Sequence, residues 1–310
     1  MSNTSASGLV TSNPAANTPA TASTGLTTTV LGAEHYDTDL VEAVRAATSA
    51  AASAAGAWFG RGDKNAADAA AVAAMRAVLL PAPFAGVVVI GEGEKDEAPM
   101  LANGEELGSG HGPACDIAVD PLDGTRLVQE GLAGSVCVIA IAPRGTLFDP
   151  RDVFYMDKLI SSGPARGVLD LRATPTVNVT ALAATLGKPV TELTVAVLDK
   201  PRHRTLVAEL QSTGARVLLA GEGDVSVAIA AATPGGPVDL AMGIGGTPEG
   251  VLTACAVRAL EGFMEGRLAP QGDAQLQMAL AAGHDLERVL TLDELVSSDR
   301  VLFASTPVDG

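Results

Sequence analysis

Cys115-Asp116-Ile117-Ala118-Val119-Asp120-Pro121-Leu122-Asp123-Gly124-Thr125 is the stretch that decides how the rest of the chain is read. Cys115 to Val119 has the look of a short buried strand, with β-branched Ile117 and Val119 among small residues. Pro121 has no N–H to give a sheet ladder, and Gly124 accepts dihedrals that other residues avoid, so a turn is expected there. Asp120 and Asp123 then stand three residues apart on a turn at a strand end, where both can point at one spot. Like charges that close repel unless a cation lies between them, and hard carboxylate oxygens suit Mg²⁺ or Mn²⁺. Thr125 adds a hydroxyl able to hold or activate a water. An Asp-rich turn running into a helix N-cap explains the same letters without any chemistry.

Support comes from both directions along the chain. Upstream, Gly86 to Ile90 is an apolar, β-branched run that reads as a strand and delivers Gly91-Glu92-Gly93-Glu94-Lys95-Asp96 at its end. Three carboxylates within five residues are costly to crowd unless they bind cations, although a solvated acidic loop is the plain alternative. A helix is expected from Asp37 or Thr38 to near Gly56, with Leu40, Val41, Val44, Ala47 and Ala51 on one face. Gly60-Arg61-Gly62-Asp63-Lys64 lacks the Gly-Lys-Ser/Thr ending of a phosphate loop. A second helix follows to Leu80, stopped by Pro81 and Pro83. On it Lys64 and Asp68 are four apart and share a face; a surface ion pair is the bland explanation. Residues 1–33 carry no charge and no apolar periodicity. They read as a disordered tail, without the basic and apolar regions of a secretory signal.

Downstream, Gly134 to Ala142 and Gly163 to Leu171 read as strands and Thr180 to Leu186 as a helix. From Leu193 strands (193–198, 216–219, 238–242) alternate with helices (203–212, 224–232, 248–260), the pattern of an α/β unit with parallel strands. Ligands in such units sit beyond the carboxyl ends of the strands. Those ends carry Lys200-Pro201-Arg202-His203, Gly221-Glu222-Gly223-Asp224 and Gly243-Ile244-Gly245-Gly246-Thr247-Pro248-Glu249. The basic trio suits a phosphate, and the glycine run lets backbone amides approach an anion. Glu249 at a helix start can also be explained as a partner for the helix dipole alone.

Composition narrows the classes. With 310 residues and 47% hydrophobic content the chain can bury a core in about two domains. No apolar run is long enough to span a bilayer, so no membrane partner is expected. A formal net charge of −16 argues against nucleic acid. The three cysteines, Cys115, Cys137 and Cys255, lack metal spacing and read as buried hydrophobes in a reducing, cytoplasmic compartment.

Taken together and in order, the motifs Gly60–Asp68, Gly91–Asp96, Asp120–Thr125, Lys200–His203 and Gly246–Glu249 resemble class II (GlpX-type) fructose-1,6-bisphosphatases. That family lies within the lithium-sensitive, metal-dependent sugar phosphatases. The likeness runs from about residue 35 onward. It implies a layered αβαβα sandwich: a metal-binding α+β domain over 34–172 and an α/β substrate-binding domain over 173–310. It implies Asp68, Glu92, Asp120, Asp123, Glu249 and the Leu122 carbonyl as ligands of two to three Mn²⁺ or Mg²⁺. Thr125 with Asp96 would activate the attacking water, supported by Lys64 and Glu94. Substrate contacts would come from Asp123, Gly124, Thr125, Tyr155, Lys200, Pro201, Arg202, Glu222, Gly223, Asp224 and Gly246. The implied reaction is removal of the 1-phosphate of fructose 1,6-bisphosphate in gluconeogenesis, extending to sedoheptulose 1,7-bisphosphate, by a homo-oligomer (dimer or tetramer).

Two departures stand out. Arg126 occupies a position where relatives carry a small polar residue. Phe303 to Gly310 looks like an element after which relatives continue with further strands, which would leave a sheet edge open. Two other readings stay open at this point. One is a monophosphatase for inositol or related sugars; the other is a non-catalytic chain that binds metal and sugar phosphate only.

Overall fold

Alanine-rich helical segments and β-branched runs sort into five layers in the computed structural model, which describes residues 27–91, 101–151 and 153–310. In chain order the strands are β1 (Thr29–Leu31), β2 (Ala85–Ile90), β3 (Glu106–Leu107), β4 (Ala114–Asp123), β5 (Val136–Pro143), β6 (Tyr155–Ser161), β7 (Thr194–Leu198), β8 (Arg216–Ala220), β9 (Leu240–Gly246), β10 (Phe263–Leu268), β11 (Leu290–Thr291) and β12 (Leu302–Pro307). The α-helices are α1 (Thr38–Gly56), α2 (Lys64–Leu79), α3 (Thr125–Glu130), α4 (Pro175–Leu186), α5 (Arg204–Ser212), α6 (Asp224–Ala232), α7 (Thr247–Ala259), α8 (Asp273–Ala281) and α9 (Leu292–Leu295). They build two six-stranded sheets, ordered β1-β12-β5-β4-β2-β3 and β11-β10-β6-β9-β7-β8.

The two-residue period of the strands assigns each face to its layer. In β5, Cys137, Ile139 and Ile141 join Leu40 and Val44 of α1 and Met75 of α2 in an outer core. Val138, Ala140 and Ala142 face the other way, into a central core shared with Val225 of α6 and Val251 and Cys255 of α7. In β7, Ala196 faces that central core. Val195 and Val197 face a third cluster with Val179 and Leu182 of α4 and Leu210 of α5. The order is therefore α1/α2, first sheet, α6/α7, second sheet, α4/α5, the expected αβαβα sandwich of an α/β protein. Helix α7 is buried over the unbroken run Gly250 to Val257, because it has a sheet on either side. Among the described residues no helix is long and apolar enough to cross a membrane.

Three expectations are corrected. Thr29–Leu31 is not tail: it pairs antiparallel with β12, Val30 opposite Ala304, and Thr28 reaches the hydroxyls of Ser49 and Thr306 at 2.8 Å each. Three residues are too few for any period to show. It follows that β12, held between β5 and β1, is not an open edge. Gly163–Leu171 is not a strand, since Gly163–Ala165 is a 3₁₀ turn; Pro164 cannot donate to a ladder, and the strand is the preceding β6. The two sheets interleave along the chain: β6 belongs to the second sheet and β12 to the first. The expected parallel pairing holds for β9, β7 and β8, while β6, β10 and β11 extend that sheet antiparallel. Residues 1–26, and with them most of the expected tail, lie outside the described residues, as do Glu92, Glu94 and Asp96.

Candidate active site between the two sheets

The expected turn at Pro121 is instead a bulge inside β4. Asp120 pairs with Val138 and Asp123 with Val136, so three steps on β4 match two on β5. In a regular strand, residues three apart point to opposite faces. The extra residue flips that parity: Leu122 packs with Ile117 and Val119 in the outer core, and Asp123 turns to the side of Asp120. Pro121 falls where no ladder N–H is needed. The Oδ1 of Asp120 accepts the Leu122 amide at 3.0 Å, which holds the bulge in shape. A similar register shift between Val88 and Ile90 re-aims the end of β2.

Both carboxylates open on a cavity of about 600 Å³, a size suited to a small phosphorylated sugar. Helix α2 contributes Lys64, Asn65 and Asp68; its N-cap, Asp63, accepts the Ala66 amide at 3.0 Å. The β4–α3 junction contributes Asp120, Leu122, Asp123, Gly124 and Thr125, with Gly124 at a φ of 82° that favours glycine. The second sheet contributes Tyr155, Gly246 and, from the first turn of α7, Glu249. A Cβ on Gly246 would collide with the Glu249 carboxylate, which would have to move aside.

Asp123 is buried. Its Oδ2 accepts the Val225 amide at 3.2 Å, and its carbonyl accepts the Ser135 hydroxyl at 2.7 Å. Burial, then the nearby carboxylates of Asp224 and Glu249, push its carboxyl up to about 7 against the pull of Val225 and Lys158. Among the described residues no three His, Cys, Asp or Glu side chains are gathered tightly enough to hold one ion between them. The donors nevertheless suit hard divalent cations. Asp68, Asp120, Asp123 and Glu249 offer only oxygen to one cavity, and the charge crowding at Asp123 is of the kind a cation relieves.

Lys200, Pro201, Arg202, Glu222, Gly223 and Asp224 do not line this cavity. Arg202 stacks its guanidinium 5.1 Å over the Tyr155 ring and donates to the Ile244 carbonyl at 3.0 and 2.8 Å. Pro201 opens the 3₁₀ turn that carries Arg202. Lys200 donates to the Gly221 carbonyl at 3.0 Å. Gly223 caps α6 in the left-handed region, and Asp224 is ion-paired with Lys158.

Sequence reasoning left Arg126 and Lys158 without a role and counted His203 in a basic trio for a phosphate, a reading that its burial and backbone partners replace. Arg126 bonds Glu222 through both its amide (3.1 Å) and its Nε (3.2 Å), linking the start of α3 to the β8–α6 loop. That contact explains the unexpected charge. Buried His203 bridges β7 to β9: its Nδ1 lies 2.7 Å from the Leu198 carbonyl and its Nε2 accepts the Ile244 amide at 2.8 Å. Accepting at Nε2 assigns the neutral ring with its proton on Nδ1. Lys158 was legible only as half of the charged pair Asp157-Lys158 beside Tyr155.

A model of bacterial, glpX-encoded fructose-1,6-bisphosphatases matches residues 38–310. The chain is 44% identical over 274 residues to fructose-1,6-bisphosphatase 1 class 2 of Escherichia coli strain K12, covering 84% of this chain and 81% of that protein. A class 2 fructose-1,6-bisphosphatase of Shigella flexneri matches with the same identity and coverage.

Proposed function

The chain belongs to the glpX-encoded family of bacterial fructose-1,6-bisphosphatases, metal-dependent phosphatases, and on that premise we propose how its residues perform the reaction. It hydrolyses fructose 1,6-bisphosphate to fructose 6-phosphate and phosphate. The single observation that carries the assignment of roles is the shared cavity, where Asp68, Asp120, Asp123 and Glu249 meet Lys64 and Thr125.

Asp68, Asp120, Asp123, Glu249, the Leu122 carbonyl and Glu92 would hold two to three Mn²⁺ or Mg²⁺. When bound, the ions neutralise phosphate charge and acidify a water. Thr125, the first residue of α3, orients the attacking water with its hydroxyl, and Asp96 takes the proton, with Glu94 and Lys64 in support. The water oxygen bonds to phosphorus as the bond to the C1 oxygen breaks, and that oxygen is protonated as it leaves. Asp123, Gly124 and Gly246 meet the reacting end of the sugar. Tyr155 in the cavity, with Arg202 stacked on its ring, would hold the second phosphate; Lys200, Glu222, Gly223 and Asp224 stand outside the cavity and take no part in holding the sugar. Holding both ends favours a bisphosphate over a monophosphate. We place the enzyme in the cytoplasm, in gluconeogenesis, as a dimer or tetramer, with sedoheptulose 1,7-bisphosphate as a further substrate.

Phosphate release with Mn²⁺ and with Mg²⁺, compared between the bisphosphate and fructose 6-phosphate, tests the reading. Thr125→Ala is expected to lower kcat by roughly 10²–10⁴-fold, the usual worth of positioned proton transfer, without moving the melting temperature. Turnover within threefold of wild type would remove Thr125 from this role.

A further inference from the structure

Lys158 sits in the middle of β6 with only 4% of its side chain exposed, although a buried ammonium is costly unless paired. Its Nζ is paired with Oδ2 of Asp224 and donates to the Gly246 carbonyl at 3.3 Å. Each partner leads to a residue of the cavity. Asp224 opens α6, and the next residue, Val225, donates its amide to Asp123 Oδ2. Gly246 ends β9 and lies directly beneath the carboxylate of Glu249. The space around this ammonium is kept by glycine: a Cβ on Gly245 would strike both Asp224 and Lys158, and one on Gly250 would press on the Lys158 stem at 3.3 Å. One ammonium thus joins the start of α6, whose Val225 amide holds Asp123, to the end of β9, which lines the cavity, from a strand that is neither.

We propose that Lys158 is a positioning residue for phosphate-ester hydrolysis, tying Asp224 to the Gly246 carbonyl and so fixing where Asp123 and Glu249 stand. The inference rests on the hydrolase assignment above. Without the ammonium, Asp224, with 17% of its side chain exposed, becomes an uncompensated anion close to Asp123, and their repulsion pulls the α6 amide off the Asp123 carboxylate. The fault then lies in the charge left behind rather than in the volume removed.

The experiment measures kcat and KM for fructose 1,6-bisphosphate, per folded molecule as judged by thermal melting, in four proteins: wild type, Lys158→Met, Asp224→Asn and the double variant. Lys158→Met is expected to lower kcat about 50-fold, since misplacement by about an ångström costs roughly a hundredfold, with KM within threefold of wild type. In that background Asp224→Asn is expected to raise kcat at least fivefold, whereas alone it lowers it. A pair serving stability only would move melting and leave kcat per folded molecule unchanged, and that result overturns the proposal. So does a double variant no faster than Lys158→Met. Lys158→Gln, which keeps a donor for Gly246 but no charge, is measured alongside and decides in the same way if the Met variant does not fold. A wild type that releases no phosphate overturns the hydrolase reading and this inference with it; a wild type that turns over beside an equally fast Lys158→Met overturns this inference alone.

Discussion

A proline and a glycine do much of the aiming in this site. Pro121 lies in the bulge that turns Asp120 and Asp123 to the same face, and Gly246 leaves the space that the Glu249 carboxylate fills. Gly246→Ala should push that carboxylate aside; we expect kcat to fall at least tenfold with melting lowered by no more than a few degrees, checked by phosphate release and calorimetry. The buried thiols give a second residue-scale test. Burial pushes Cys115 up to about 11, partly opposed by Arg144, and pushes Cys255 up to about 12, from an ordinary value of 9.0. The folded chain therefore holds these protons more tightly than the unfolded chain. Their contribution to stability is full below pH 9 and is lost as pH rises toward 11–12. Melting temperature should fall across that window, and a thiol reagent at pH 8 should label the three cysteines only after denaturation.

Among the elements, helix α2 shows how a local signal reaches the site. Its N-cap bond from the Ala66 amide to Asp63 sets the first turn, which carries Lys64 and places Asp68 one turn along. Asp63→Ala should cost about 1 kcal/mol of stability, read by urea unfolding, and should also lower kcat because both cavity residues ride on that turn. Such elements were legible in the sequence: α1, α2, α6 and α7 fall within a residue or two of where apolar period and capping put them. The failures have two causes, one local and one in pairing across the chain. Over Gly163–Leu171 apolar content was read as strand, although Pro164 denied the ladder a donor. For β1, β11 and β12 pairing across the chain decides the conformation, and a local period carries little of that. The bulge of β4 was hidden for the same reason, since it exists only in register with β5. Asp120 and Asp123 were legible by type and spacing, whereas Asp68 and Glu249 came only from the family resemblance; their common cavity was not legible, because it depends on how two sheets pack about α7.

For the whole molecule, the edges of the first sheet decide its behaviour. Strand β1 covers β12 along Thr29–Leu31, shielding a strand that carries Leu302 and Phe303. A chain lacking residues 1–31 should expose that edge and self-associate; light scattering at matched concentration would show it, and an unchanged monodisperse profile would count against the shielding role. The same pairing sets a timetable for biosynthesis. Leu302 lies opposite Ile141, so β5 and the catalytic bulge beside it leave the ribosome long before the neighbour that completes their sheet. At roughly 5–20 residues per second this wait is on the order of ten to thirty seconds, during which Val138 to Ala142 has one flank unpaired. A nascent chain of this design would gain from a chaperone that guards that flank until the last strand is made.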